Sequence, residues 1–143
     1  LKCHAGKNIK IYCPLSYGDQ SYAQEVSDCG ETLFGGNFNA LREFMPIVKY
    51  DELLAKIDIA IFNHNRQQGM GNITTLLGMG KKVYLRKEIT TWNFLQDLGI
   101  TVYDVNLIEL TIIDEYTSIE NMKMIRNYFS EDNLLTQLRG ICQ

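Results

Sequence analysis

Short apolar runs alternate along this chain with longer periodic segments that end at glycine. DIAIFN at 58–63, KVYLR at 82–86 and ITVYDV at 100–105 are too short for helices and rich in β-branched and aromatic residues, so they read as strands. Between them, 72–80 and 90–98 carry apolar residues at helical spacing and stop at Gly80 and Gly99, where a C-terminal glycine belongs. Upstream, NIKIYCPL at 8–15 is another buried strand, and 21–30 is a helix stopped at Gly30. FNALREFMP alternates Phe38, Ala40 or Leu41 and Phe44 as a strand would, and Lys49 to Lys56 is a helix with an acidic first turn. From Thr117 to Ile141 the apolar spacing is helical, with a break near Ser130 and a second segment from Glu131 or Asp132. Strands alternating with helices over links of a few residues specify a doubly wound, mostly parallel α/β sheet. With no repeat, low-complexity tract or linker, residues 1–143 read as one domain.

Composition removes several function classes. Apolar residues make up 45% and charged residues 22%, the balance of an ordinary globular protein. The net charge is −3 and no Lys/Arg run exceeds Lys81-Lys82, which argues against nucleic acid. No apolar run approaches the roughly 20 residues of a membrane span. No signal peptide is expected from Leu1 onward, though the chain does not start at Met and an upstream segment is left open; the expected location is cytoplasmic. Cys3, Cys13, Cys29 and Cys142 form no C-x-x-C, and His4 and His64 are too few for a His cluster; no metal and no cofactor are expected.

Packing does not explain HNRQQGMGN, residues 64–72, at the joint between an apolar strand and an apolar helix. Ligands of open parallel sheets sit outside the carboxyl ends of the strands, where loops enter helix N-termini. Here Gly69 and Gly71 let backbone amides approach an anion, and the helix opening near Asn72 adds partial positive charge. Arg66 can contact phosphate oxygens in bidentate fashion, and Gln67 and Gln68 donate without adding charge. The loop matches neither G-x-G-x-x-G nor G-x-x-x-x-G-K-[ST]. A glycine pair at such a turn often serves geometry alone, and a loop arginine is often only solvated. It is the cluster at the topologically expected place that favours a diphosphate cradle. His64, just before it, is a candidate phosphate or sugar contact set against the plainer reading of a loop histidine. Trp92 reads first as packing between helix and sheet, and Asp58 stands at the wrong end of its strand for chemistry.

The stretch from Leu53 to Asp104 resembles the core of the enterobacterial 4-α-L-fucosyltransferase family, glycosyltransferase family 56. RQQGMG at 66–71 matches that family's R-Q-Q-G-[IM]-G turn, the helix ending at Gly80 its Leu-rich helix, and NFLQDLGI with Trp92 its Trp-containing helix. CPLSYGDQSYAQEV resembles the family's second strand of the C-terminal domain and its P-x-x-Y turn. YFSEDNLLTQL resembles its closing F-F-S-P-x-Y-L segment, with Glu131 where proline is expected.

The resemblance implies a Rossmann-like sheet forming the C-terminal half of a GT-B glycosyltransferase. It implies a transferase, peripheral at the inner membrane, that passes N-acetylfucosamine from a TDP-sugar to a lipid-linked saccharide in enterobacterial common antigen synthesis, without metal. It places the donor diphosphate at Arg66 to Asn72, adds Ser16, Tyr17 and Gly18 at another carboxyl strand end as candidate donor contacts, and gives Glu88 a hydrogen bond to sugar hydroxyls. The N-terminal acceptor domain and the first strand of the sheet are then expected to be absent from this chain, leaving two unpaired strand edges and an isolated chain without turnover. Self-association is open. The rival reading is a non-enzymatic α/β module for a phosphorylated ligand or a partner chain. A dehydrogenase is a distant third, because the strand after the glycines ends at Arg86 rather than in an acidic residue that could hold a ribose.

Overall fold

Four of the five strands are four residues long and the fifth is two, and every strand pair among the described residues is parallel. The structure, a computed structural model, describes residues 8–141, and the chain falls into two units, Leu1–Tyr50 and Asp51–Gln143. Parallel strands alternating with helices bear out the α/β class. The strands lie in two small sheets, however, β1-β2 and β3-β4-β5, and not in one continuous sheet.

In the first unit, β1 (Ile11–Pro14) pairs with β2 (Phe38–Leu41) in the register Ile11↔Phe38 to Pro14↔Leu41. Between them α1 (Gln20–Phe34) starts at an Asp19 cap, whose Oδ1 accepts from the Tyr22 amide at 2.8 Å. Gly30 does not end this helix. A side chain there would collide with the Phe38 ring, so its glycine is a packing requirement, and the true cap is Gly35 at φ 56°. Cys13 and Cys29 are free thiols, and Cys3, His4 and Cys142 lie outside the described residues.

Helix α2 (Ile47–Ala55) begins ahead of Lys49, so Asp51 and Glu52 fall beyond its first turn. In the second unit β3 (Ile59–Phe62), β4 (Lys82–Leu85) and β5 (Tyr103–Asp104) follow in spatial order. Helices α3 (Met70–Gly78) and α4 (Thr90–Asp97) form the crossovers, and α5 (Glu115–Tyr128) and α6 (Glu131–Ile141) close the chain, with the break at Ser130 as expected. Central β4 is buried along its whole length, and Val83, Leu85, Ile73, Leu77 and Leu95 are all fully enclosed. Each such side chain contributes about 1.5–3 kcal/mol, which makes this sheet the rigid platform beneath the loops at its carboxyl end.

Strand β5 is shorter than the expected 100–105 for a definite reason. Buried Asn121 of α5 takes both backbone groups of Thr101: its Oδ1 accepts from the Thr101 amide and its Nδ2 donates to the Thr101 carbonyl, each at 2.8 Å. Those groups are then lost to the strand ladder. One turn away, Ser118 Oγ donates to the Gly80 carbonyl at 3.0 Å in a space that a side chain on Gly80 would occupy. The fold gives Gly80 this close approach and a φ of 73°.

Candidate functional site

The backbone of the 64–72 loop turns on one residue. Gly69 adopts φ 69° and ψ 23°, a left-handed conformation open to glycine, and its carbonyl accepts the first helical bond of α3, from the Ile73 amide at 2.9 Å. Helix α3 therefore opens at Met70 and not near Asn72. Gly71 and Asn72 belong to its first turn, where amides have no intrahelical acceptor. Gly69 offers no side chain to cap them. A Cβ on Gly71 would meet no atom within 4 Å, so the side of the turn that Gly71 faces is open.

Arg66, Gln67 and Gln68 are exposed on the approach to this turn, and Arg66 makes no ion pair among the described residues. His64 is partly buried, edge-on to Phe62 with ring centroids 5.9 Å apart. Its Nδ1 is buried without a hydrogen-bond partner among the described residues, and its ring forms the wall nearest Gly69 after Phe62. Arg66, Gln67, Gln68, Gly69, Gly71, Asn72 and His64 thus share one loop and helix start. Glu88 is exposed in the neighbouring loop between β4 and α4. Ser16, Tyr17 and Gly18 lie in the first unit, between β1 and α1, with Tyr17 90% exposed and Gly18 at φ 101°.

One member of the site escaped the sequence reading. Arg86 donates through Nε to Asn63 Oδ1 at 2.7 Å. The pairing Phe62↔Leu85 makes the next residue on each strand a neighbour of the other, so once β3 and β4 are known to be adjacent the contact follows from register. It braces the first residue of the 63–69 loop against the carboxyl end of β4. Beside it Lys87 pairs with Asp104 at 3.2 Å, and the Asn106 amide, more than Lys87, holds the Asp104 carboxyl below its usual range. Lys87 also sits over the Trp92 ring, 5.7 Å from its centroid, so the plain reading of Trp92 as packing omits this cation contact.

Chemically, the loop offers amides with no side-chain cap, a guanidinium without an ion pair among the described residues and two exposed neutral amide side chains. That set suits a phosphate-bearing ligand. Among the described residues no group of three or more His, Cys, Asp and Glu side chains is placed to hold a metal ion, and no helix is long and apolar enough to cross a membrane. No solved structure matches this chain. The sequence model of the family described as 4-alpha-L-fucosyltransferase, glycosyl transferase group 56, matches residues 1–131, and with the match spanning all the strands and the whole of the 64–72 loop, the chain belongs to that glycosyltransferase family.

Proposed function

We propose that residues 63–72 form the donor-diphosphate site of a sugar-nucleotide transferase. A single observation carries this reading: left-handed Gly69 leaves the first-turn amides of α3 without a side-chain cap, in the same loop as an exposed Arg66 that has no ion pair among the described residues, at the carboxyl end of a parallel strand. Family membership supplies the reaction class, a glycosyl transfer from a nucleotide donor to an acceptor. In the finer reading, the chain is the Rossmann-like donor half of a GT-B enzyme, its donor is a TDP-N-acetylfucosamine-like sugar, and its acceptor is a lipid-linked saccharide received by a separate half of the cleft at the membrane surface.

As the glycosidic bond to the leaving group breaks, negative charge grows on the nucleoside diphosphate. Arg66 meets that charge with a bidentate contact, and the Met70, Gly71 and Asn72 amides meet it with the dipole of α3 behind them. Gln67 and Gln68 hold the remaining phosphate oxygens or the ribose. The His64 ring, packed edge-on to Phe62, walls the turn at Gly69 and gives the cradle a fixed side. Glu88, in the adjacent loop, accepts from sugar hydroxyls.

Calorimetric titration with TDP, and with UDP and GDP as comparators, tests the site. The expected result is saturable binding with TDP preferred, weakened about 10- to 100-fold by Arg66→Ala, as loss of a charge-assisted bidentate contact implies. Binding of TDP that is unchanged in Arg66→Ala would move the diphosphate elsewhere. A phosphorylated ligand bound at Arg66 without preference for any nucleotide would favour the non-enzymatic binding module instead.

A further inference from the structure

A second site lies on the β5 edge of the same unit and shares no residue with the 63–72 loop. Here a cleft of about 470 Å³ is lined by Lys82, Tyr84, Trp92, Gln96, Tyr103 and Glu109 among others, a size within the usual range of small-molecule pockets. Its unusual member is Lys82. This lysine is only 4% exposed, on a strand buried along its whole length. Lysines are rarely buried without a paired carboxylate, because removing an ammonium from water is costly. Yet no carboxylate of the described residues lies within 4.0 Å of Lys82.

Neutral groups hold the ammonium in place. Lys82 Nζ donates to the Thr111 carbonyl at 2.9 Å and to Thr111 Oγ1 at 3.1 Å. It stands 4.7 Å from the centroid of the Tyr103 ring and 5.3 Å from that of Tyr84. The register explains the arrangement: Tyr84 lies opposite Tyr103, and Lys82, two residues before Tyr84, projects to the same face. The segment over that face is pinned as well, since Tyr84 Oη donates to the Glu109 carbonyl at 2.8 Å and accepts from the Glu109 amide at 3.0 Å. Glu109 also borders the cleft but its carboxylate makes no ion pair with Lys82, and two other nearby acids are engaged elsewhere. Asp104 pairs with Lys87, and Asp114 accepts from the Thr117 amide at 2.9 Å as the cap of α5.

A fixed, enclosed cation with aromatic walls and no carboxylate within 4.0 Å among the described residues is half of an ion pair whose other half a ligand can supply. We propose that this cleft binds a small organic anion, a carboxylate carried on a flat apolar ring. The carboxylate pairs with Lys82, the ring lies against Trp92 and Tyr103, and the Gln96 amide reaches the ligand's second polar group. A neutral amide of the same shape lacks the charge that Lys82 selects.

Trp92 is the one tryptophan of the chain, so its indole N–H gives a single resonance that reports on this wall alone. The probes are benzoate and its neutral isostere benzamide, titrated against the whole chain. Benzoate is expected to shift that resonance saturably and benzamide to bind about tenfold or more weaker, the value of a hydrogen bond to a charged group. Lys82→Met, which keeps the stem and removes the charge, should abolish the difference between the two. Equal response to both probes, no response to either, or an unchanged preference in a folded Lys82→Met would overturn the proposal. The comparison on the unaltered protein decides the matter even if that variant fails to fold.

Discussion

Asn121 grips Thr101 through both of its backbone groups, at 2.8 Å each, and so fastens α5 to the turn between α4 and β5. Helix α5 packs on α3, whose first turn carries the candidate donor site, so this clamp also steadies the platform beneath the site. Asn121→Ala removes the buried side chain that holds the Thr101 amide and carbonyl in a part-buried setting and is expected to cost about 1–3 kcal/mol in chemical denaturation. Asn121→Asp should also destabilise, because a carboxylate can accept from the amide but cannot donate to the carbonyl. Wild-type stability in either variant would show the clamp to be dispensable.

Gly71 separates stability from binding. Alanine at this first-turn position meets no atom within 4 Å and favours the helix, so Gly71→Ala should raise the unfolding free energy by about 0.5–1 kcal/mol. Its methyl group would also stand where a diphosphate approaches the amides, and TDP affinity should fall. Gly69→Ala has the opposite profile. At φ 69° alanine is strained, and a loss of about 1 kcal/mol or more is expected together with loss of binding. If Gly71→Ala bound TDP as tightly as the natural protein, the ligand would not approach that turn.

The brace between Arg86 and Asn63 predicts a modest, specific defect. Asn63 is exposed and Arg86 half-buried, so Arg86→Ala should change stability by less than about 1 kcal/mol. Freed from its tether, the 63–69 loop should bind TDP a few-fold more weakly, and Asn63→Ala should reproduce the effect. In the double variant the two losses should fall short of their sum, since they share one contact.

Acid should weaken the fold at the helix caps. The Tyr22 amide and Ser21 hydroxyl hold Asp19, the hydroxyl foremost, below its ordinary value of 3.8, and the Thr117 amide does the same for Asp114. A carboxyl whose pKa is lowered by folding stabilises the fold above that ordinary value, and the benefit is lost as pH falls through the lower folded value. Melting temperature should therefore show little contribution from these groups between neutral pH and about pH 5, then drop below about pH 4. Asp114→Asn keeps an oxygen for the cap without a titrating proton, so the acid limb of its melting curve should be shallower than that of the natural protein.

Much of the fold was legible because its signals are local. Apolar runs marked β3 and β4, and Gly80 and Gly99 marked turns where φ is indeed 73°. Gly30 misled for the converse reason: its role is set by Phe38, eight residues on, and nothing in the helix pattern reveals that ring. The start of α3 was read near Asn72, whereas the chain opens the helix at Met70 from the left-handed turn at Gly69, a conformation the letters alone do not display. In the site, the loop residues could be read directly, but Asn63 with Arg86 needed the register of two strands. Lys82 needed still more. In the sequence it is one half of a Lys81-Lys82 pair, and only the covering of central β4 on both faces encloses it. Which strands would share a sheet was likewise hidden, since pairing depends on neighbours far apart in sequence.

Helix α3 begins without a capping side chain, and that omission has a consequence for how the protein responds to its ligand. A cap supplied from outside is present only while the ligand is, so the first turn of α3 should fray in the free protein and lock on binding. The ligand then serves as a removable part of the secondary structure. Hydrogen exchange at Met70, Gly71 and Asn72 becomes an internal gauge of occupancy, slow when the site is filled and fast when it empties.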